Sequence, residues 1–225
     1  MPFVQAGRNL VAQCRRDGLG AMLQNVAYRV TVRWYEWRLG ISTEAARSLD
    51  ELGLSNEEFR HYVPASYWSI RTVLDALKVD SNDVFLDFGS GMGRLIIMAA
   101  RRPLRRVIGV EISEELNAIA RRNVDCAKGR LKCRVDIITS DAKAFRIPSD
   151  VTIVSFYNPF AGDVLRTVMD NLRQSLREAP RNLRVVCLIP TQSAFALEIC
   201  EQSWLMPQRQ IELSSVQRCV IFSAS

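Results

Sequence analysis

Between Val84 and Ala100 the chain reads VFLDFGSGMGRLIIMAA, two dense apolar runs separated by glycines at positions 89, 91 and 93. The first run is short and bounded by glycine, as a buried strand is. The second, GRLIIMAARR, is helical in character. A strand feeding a helix through a turn this poor in Cβ atoms opens a βαβ unit, which commits the chain to a parallel sheet covered on both faces. Such a turn also lets a ligand approach the backbone closely, at the carboxyl edge of the sheet where open α/β folds bind ligands.

The alternation continues downstream. ASYWSIRTVLDAL predicts a helix ending before the turn SND, RRVIGVE a second strand, and SEELNAIARRNVDCAKG a helix with Ser113 as N-cap, Glu114 and Glu115 in its first turn and Gly129 as its stop. CRVDIITSD, VTIVSFYN and LRVVCLIP predict further strands, and DVLRTVMDNLRQSLRE the helix before the last of them. The tail MPQRQIELSSVQRCVIFSAS has two strand-like runs around Ser-Ser and no room for a helix, so an antiparallel hairpin should finish the sheet. The expected architecture is α/β: a doubly wound, mostly parallel seven-stranded sheet with an antiparallel C-terminal hairpin strand. Residues 61–225 form this domain. Residues 1–60 differ in texture, helical and arginine-rich without strand runs, and read as a helical N-terminal extension. Within them, NVAYRVTVRWYEWRLG spaces Val26, Val30, Arg33 and Trp37 as one helical face with Trp34 beside it. The expectation is that this aromatic side packs on the main domain; the alternative is an interfacial helix on a membrane.

At 225 residues and 48% apolar composition the chain has ample material for a core. No apolar run approaches the ~20 residues of a membrane span. MPFVQAGRNLVAQCRRDGLG lacks the features of a secretory signal. Six scattered cysteines without CxxC spacing, beside one histidine, argue against a metal cluster; they read as reduced thiols of a cytoplasmic protein. The net charge of +6 permits a nucleic-acid or anionic partner, but much of the excess lies on solvated helix faces.

The glycine spacing rules out two phosphate-binding turns. The dinucleotide fingerprint would need glycine where Arg94 stands, and no GK[ST] follows to make a P-loop. The turn instead suits a ligand without a pyrophosphate. Asp87, Glu111 and Asp141 stand at or just beyond three successive strand ends. With DFGSGMG at 87–93, this set resembles the class I, seven-strand S-adenosylmethionine-dependent methyltransferases over residues 62–225. The resemblance implies that Asp87, Gly89, Ser90, Gly91 and Gly93 hold S-adenosyl-L-methionine (product S-adenosyl-L-homocysteine). It implies further that Glu111 grips the ribose diol, Ile112 covers the adenine, and Asp141 with Ala142 faces its amino group. One carboxylate accepting two hydrogen bonds from a vicinal diol is the physical basis for the acid at Glu111. The family's last strand is likewise antiparallel.

The fourth strand ends in FYNPF, residues 156–160. This resembles the Asn-Pro-Pro-aromatic turn of amino-directed methyltransferases, one proline short. The resemblance implies that Asn158 meets both acceptor and cofactor and that Phe160 shapes the acceptor site. HYVPASYWSI resembles the YVPTP segment of some lysine methyltransferases, which implies roles for Tyr62, Pro64, Ser66 and Tyr67 at the methyl end. His61, the single histidine, reads as structural, because amine methylation needs only a route for proton loss. The chain is therefore expected to be an enzyme moving methyl to an amino nitrogen, with a protein lysine as first acceptor and no metal. The alternatives are an RNA or DNA base acceptor, or a catalytically silent binding subunit of the same fold.

Overall fold

The computed structural model describes residues 23, 25–44, 62–190 and 194–224. The chain divides into two compact units, residues 1–39 and residues 40–225. In the first, the described residues form helix α1 over 25–39, with Leu23 also helical. Val32 and Leu39 are its buried residues, whereas Trp34 and Trp37 are 48% and 81% exposed. The two tryptophans thus stand on the face of the helix opposite its buried residues. Most of the expected N-terminal extension, and His61, lie outside the described residues.

The second unit is a seven-stranded sheet in the order β3-β2-β1-β4-β5-β7-β6. Its strands are β1 (Val84–Phe88), β2 (Arg106–Glu111), β3 (Arg134–Thr139), β4 (Ile153–Phe156), β5 (Leu183–Pro190), β6 (Leu205–Ser214) and β7 (Gln217–Ala224). The first five are mutually parallel, and β7 is antiparallel to both β5 and β6. All five residues of β1 are buried, as expected of a central strand covered on both faces. The order reverses between β1 and β4, and that switch leaves a crevice beyond their carboxyl ends. At the far edge, β6 carries Pro207 and two register shifts, features that an edge strand tolerates and that discourage pairing with another chain.

The helices are α2 (Tyr67–Leu77), α3 (Arg94–Ala100), α4 (Glu114–Ala127), α5 (Gly162–Glu178) and α6 (Ala194–Cys200). Ser113 caps α4 by accepting the Leu116 N–H, and the helix passes into a 3-10 turn at Lys128–Arg130, where the Gly129 stop was expected. On α5, Val164, Leu165, Val168, Met169, Leu172 and Leu176 repeat at three- and four-residue spacing; all are buried in one core cluster with Leu86, Phe88, Val154 and Phe156. Helix α6 was not anticipated. Its Phe195 and Ile199, four residues apart, are both fully buried. No helix lies between β3 and β4. Instead Phe145 and Ile147 of that connection fold onto the core, and its start stays at the sheet rim. Among the described residues no helix is long and apolar enough to cross a membrane.

The amino-terminal ends of the central strands β1, β4 and β5 are held by a polar knot. Asp83 accepts from Arg184 Nη2 at 2.6 Å, Thr152 Oγ1 at 2.8 Å and the Asp80 N–H at 3.0 Å, while Arg184 Nη1 donates to Leu77 O at 2.6 Å. Burial pushes the Asp83 carboxyl up, but these hydrogen bonds and the Arg184 charge outweigh it and hold it below its ordinary value. A depressed carboxyl adds stability above its unfolded pKa and loses it as pH falls through the folded one. Asp83→Ala should cost about 3 kcal/mol at neutral pH. In denaturant titrations the gap from wild type should shrink below pH ~4; a gap independent of pH would contradict the ion-pair account.

Candidate functional site

The turn after β1 crosses the crevice with Gly89, Gly91 and Gly93 all at positive φ, 73°, 53° and 88°. Its backbone is pinned to the next strand, because the Gly89 and Ser90 N–H groups donate to Val110 O at 2.8 and 3.2 Å. Two of the glycines are closely overlaid. A Cβ at Gly91 would stand 2.2 Å from Cε2 of Tyr62, and one at Gly89 would stand 2.5 Å from Cβ of Pro159. The segment before α2 and the turn after β4 therefore press on the glycine turn from two sides.

A buried cation holds the first of these. Arg94 is 2% exposed and opens α3. Its Nε donates to Thr43 Oγ1 at 2.7 Å, Nη1 to Ala65 O at 2.9 Å and Nη2 to Glu44 at 2.7 Å, and its guanidinium lies 4.6 Å from the Tyr67 ring centroid. Tyr62 donates its hydroxyl to Thr43 O at 3.1 Å. Sequence reasoning saw Arg94 only as the residue that breaks the dinucleotide fingerprint. Its role in tying residues 43–44 and 65–67 to the glycine turn was invisible there.

The cleft beside this turn brings together most of the expected residues. Asp87, Gly89, Ser90, Glu111, Ile112, Asp141 and Ala142 line it together with Tyr62, Asn158 and Phe160. Gly91 and Gly93 shape the turn from beneath; Gly93 occupies the N-cap of α3. Tyr67, like Gly91 and Gly93, is not among the residues lining the cleft. It is 1% exposed and lies against Arg94, because Ser66 caps α2 and Tyr67 starts the helix on its inner face. Pro64, which was expected at the methyl end, lines the cleft; Val63 and Tyr157 also line it and were missed by sequence reasoning. Tyr157 adjoins the Asn158 that was singled out, so its position in the motif was the available signal. Its hydroxyl accepts from Gln217 Nε2 at 2.9 Å. Burial pushes the Tyr157 hydroxyl up, with the Gln217 hydrogen bond and the Arg94 charge opposing.

The acids differ in how they are held. Glu111 takes the Gly91 N–H on Oε2 and the Ser113 N–H on Oε1, both at 3.0 Å. Burial raises its carboxyl, and these backbone donors with Ile112 oppose the rise. Asp87 has no such donors. Its Oδ1 is buried without a partner, and burial lifts the carboxyl to about 8, with the Ser155 hydroxyl opposing and the Glu111 charge adding. Asp141 is more exposed and accepts the Lys143 N–H at 2.9 Å. Asn158 sits at φ 45°, a left-handed conformation stabilised by its surroundings, and its Oδ1 is also buried without a partner. Unpartnered buried oxygens at one cleft are the mark of a site completed by a ligand with donors or positive charge. Among the described residues no cluster of metal-ligating side chains occurs.

Comparison with known proteins agrees with this geometry. Residues 58–142 match the family model of the histone methylation protein DOT1. A protein-lysine N-methyltransferase of Saccharolobus islandicus is 31% identical over 127 residues, which cover 56% of this chain and 73% of that protein. Among solved structures, an RNA methyltransferase from Salinibacter ruber in complex with S-adenosyl-L-homocysteine superposes with a TM-score of 0.54 at 28% identity, covering 72% of this chain and 94% of that one. A SAM-dependent methyltransferase from Aquifex aeolicus shares the fold at TM-score 0.56 and 15% identity, over 70% and 90% of the two chains. With its strand order, its glycine turn and these relatives, the chain belongs to the class I S-adenosylmethionine-dependent methyltransferases.

Proposed function

We propose that the enzyme methylates the side-chain nitrogen of a protein lysine. The observation that carries this reading is the largely aromatic and apolar lining that shares the cleft with Asn158: Tyr62, Val63, Pro64, Tyr157 and Phe160 line it, and Asn158 Oδ1 is buried without a partner. An ammonium must lose its proton before it can attack, and a lysine starts from a reference pKa of ~10.4. An apolar, aromatic wall disfavours the charged form and shifts the balance toward the free amine. The Asn158 oxygen then accepts an N–H of that amine and fixes the direction of its lone pair. The Saccharolobus relative and the DOT1 match support a protein acceptor.

The residues fit the cofactor on their own chemistry. Glu111 is assigned to the ribose hydroxyls, Ile112 and Ala142 to the faces of the adenine, and Asp141 to its amino group. Asp87 and the turn at Gly89–Gly93 are assigned to the positively charged methionine end. Bound S-adenosylmethionine supplies an electrophilic methyl group on a sulfonium. The tight overlays at Gly89 and Gly91 hold Pro159 and Tyr62 against the turn, which excludes water from that end of the cleft. A second reading, methylation of a nucleic-acid base, is favoured by the Asn-Pro-aromatic turn and by the Salinibacter relative.

Labelled methyl transfer into cell lysate separates the two readings. Label that resists nuclease and disappears with protease is expected; label that disappears with nuclease would replace the lysine by a base. Asn158→Ala should lower kcat by roughly 10–100-fold, the worth of one or two hydrogen bonds, with cofactor Kd nearly unchanged. An unchanged kcat would remove Asn158 from the acceptor site.

Two further outcomes concern the cofactor. Glu111→Gln should weaken S-adenosylmethionine binding by roughly 10–100-fold in calorimetry, since it loses a charged acceptor. Because Asp87 holds its proton up to about 8 and a cationic ligand favours the carboxylate, affinity should rise with pH and level off above about 8. Asp87→Asn should bind more weakly and without that rise. For the free protein the sign reverses. A carboxyl raised from 3.8 costs stability progressively as pH climbs through the window up to about 8, so Asp87→Asn should be the more stable protein at high pH.

A further inference from the structure

Helix α1 has two apolar faces. One carries Val32 and Leu39, both buried, with the half-buried Tyr28 and Tyr35 beside them. On the other side stand Leu23, Val26, Val30, Trp34 and Trp37, exposed by 57%, 40%, 62%, 48% and 81%. Their spacing of three, four, four and three residues gathers them into an arc of roughly 80° at 3.6 residues per turn. Scattered exposed hydrophobes need no explanation. Five on a single stripe, two of them tryptophan, mark a contact surface.

The charges beside the stripe indicate its occupant. Arg29 and Arg33 border it on one side and Arg38 on the other, with the Arg38 guanidinium 5.4 Å from the Trp34 ring centroid. The one acid between residues 23 and 39, Glu36, lies further round and is half-buried. A second copy of α1 laid on this stripe would bring arginine borders against arginine borders with no acid to meet them. An anionic lipid surface meets all three requirements. It accepts the apolar arc into the acyl boundary, places tryptophan at the headgroup level, and lets arginine stems snorkel to phosphate. The described part of the helix, residues 25–39, carries three arginines, too many charges for the hydrocarbon core. The helix would therefore lie in the interface and not cross it.

We infer that α1 docks this enzyme on anionic phospholipid membranes through the stripe from Leu23 to Trp37. The inference does not depend on the identity of the methyl acceptor.

Sedimentation of the full chain with phosphatidylcholine vesicles, with and without phosphatidylglycerol, tests it. Binding to the anionic vesicles alone is expected, weakening as salt is raised. Trp34→Ser with Trp37→Ser should lower vesicle affinity at least about tenfold, and so should Arg29→Gln with Arg33→Gln and Arg38→Gln. These side chains are exposed, so S-adenosylmethionine binding by each variant should match wild type and exclude misfolding as the cause. Three results would overturn the inference: no vesicle binding by the wild type, equal binding to neutral and anionic vesicles, or a dimer in light scattering that the double tryptophan variant dissociates.

Discussion

A buried guanidinium is the constraint on which the cleft depends. Arg94 occupies the first turn of α3, where the helix dipole is unfavourable to a cation, and it is almost fully removed from water. Such a charge persists only with dense compensation. Here the compensation comes from the Glu44 carboxylate, the Thr43 hydroxyl, the Ala65 carbonyl and the face of Tyr67. Each of these partners belongs to a chain segment distant in sequence from the glycine turn. Satisfying one charge therefore fixes the strap that carries Tyr62, and Tyr62 then lies on Gly91 at a distance no other residue type would permit. The glycine is required as much by the tyrosine above it as by any ligand.

The central part of the fold was legible because its rules are local. VFLDF and LRVVCLIP are apolar runs of strand length, and they are strands over the same residues. The hairpin tail followed from alternation around Ser-Ser. Helix α6 was not legible, since seven residues with two core positions give too little periodicity to separate helix from loop. The cleft residues followed from their places at strand ends, which the α/β topology must bring together. Tyr67 shows the limit of that argument. Tyr62, Val63, Pro64 and Ala65 line the cleft, but the Ser66 cap starts α2 at Tyr67, and that ring turns inward to Arg94. Whether a side chain faces ligand or core is decided by one residue of register, which sequence texture does not resolve.

The outward stripe on α1 illustrates a related difficulty. An amphipathic pattern announces that a helix has an apolar face, and the ordinary partner of such a face is a protein core. This helix has two. The sequence pattern alone gave no reason to choose between them. Burial at Val32 and Leu39 distinguishes them.

The two deep acids divide the electrostatic work of the cleft. Glu111 is surrounded by backbone N–H donors, so its position is set before any ligand arrives and its two oxygens remain aimed. Asp87, on the adjacent central strand, has no fixed donor at Oδ1 and carries a proton up to about 8. Burial is the main reason, and the charge of Glu111 adds to it. A ligand cation changes the balance, because it supplies the charge that the protein withholds from Asp87. The same burial that makes the empty site costly to ionise thus makes it selective for a positively charged occupant over a neutral one.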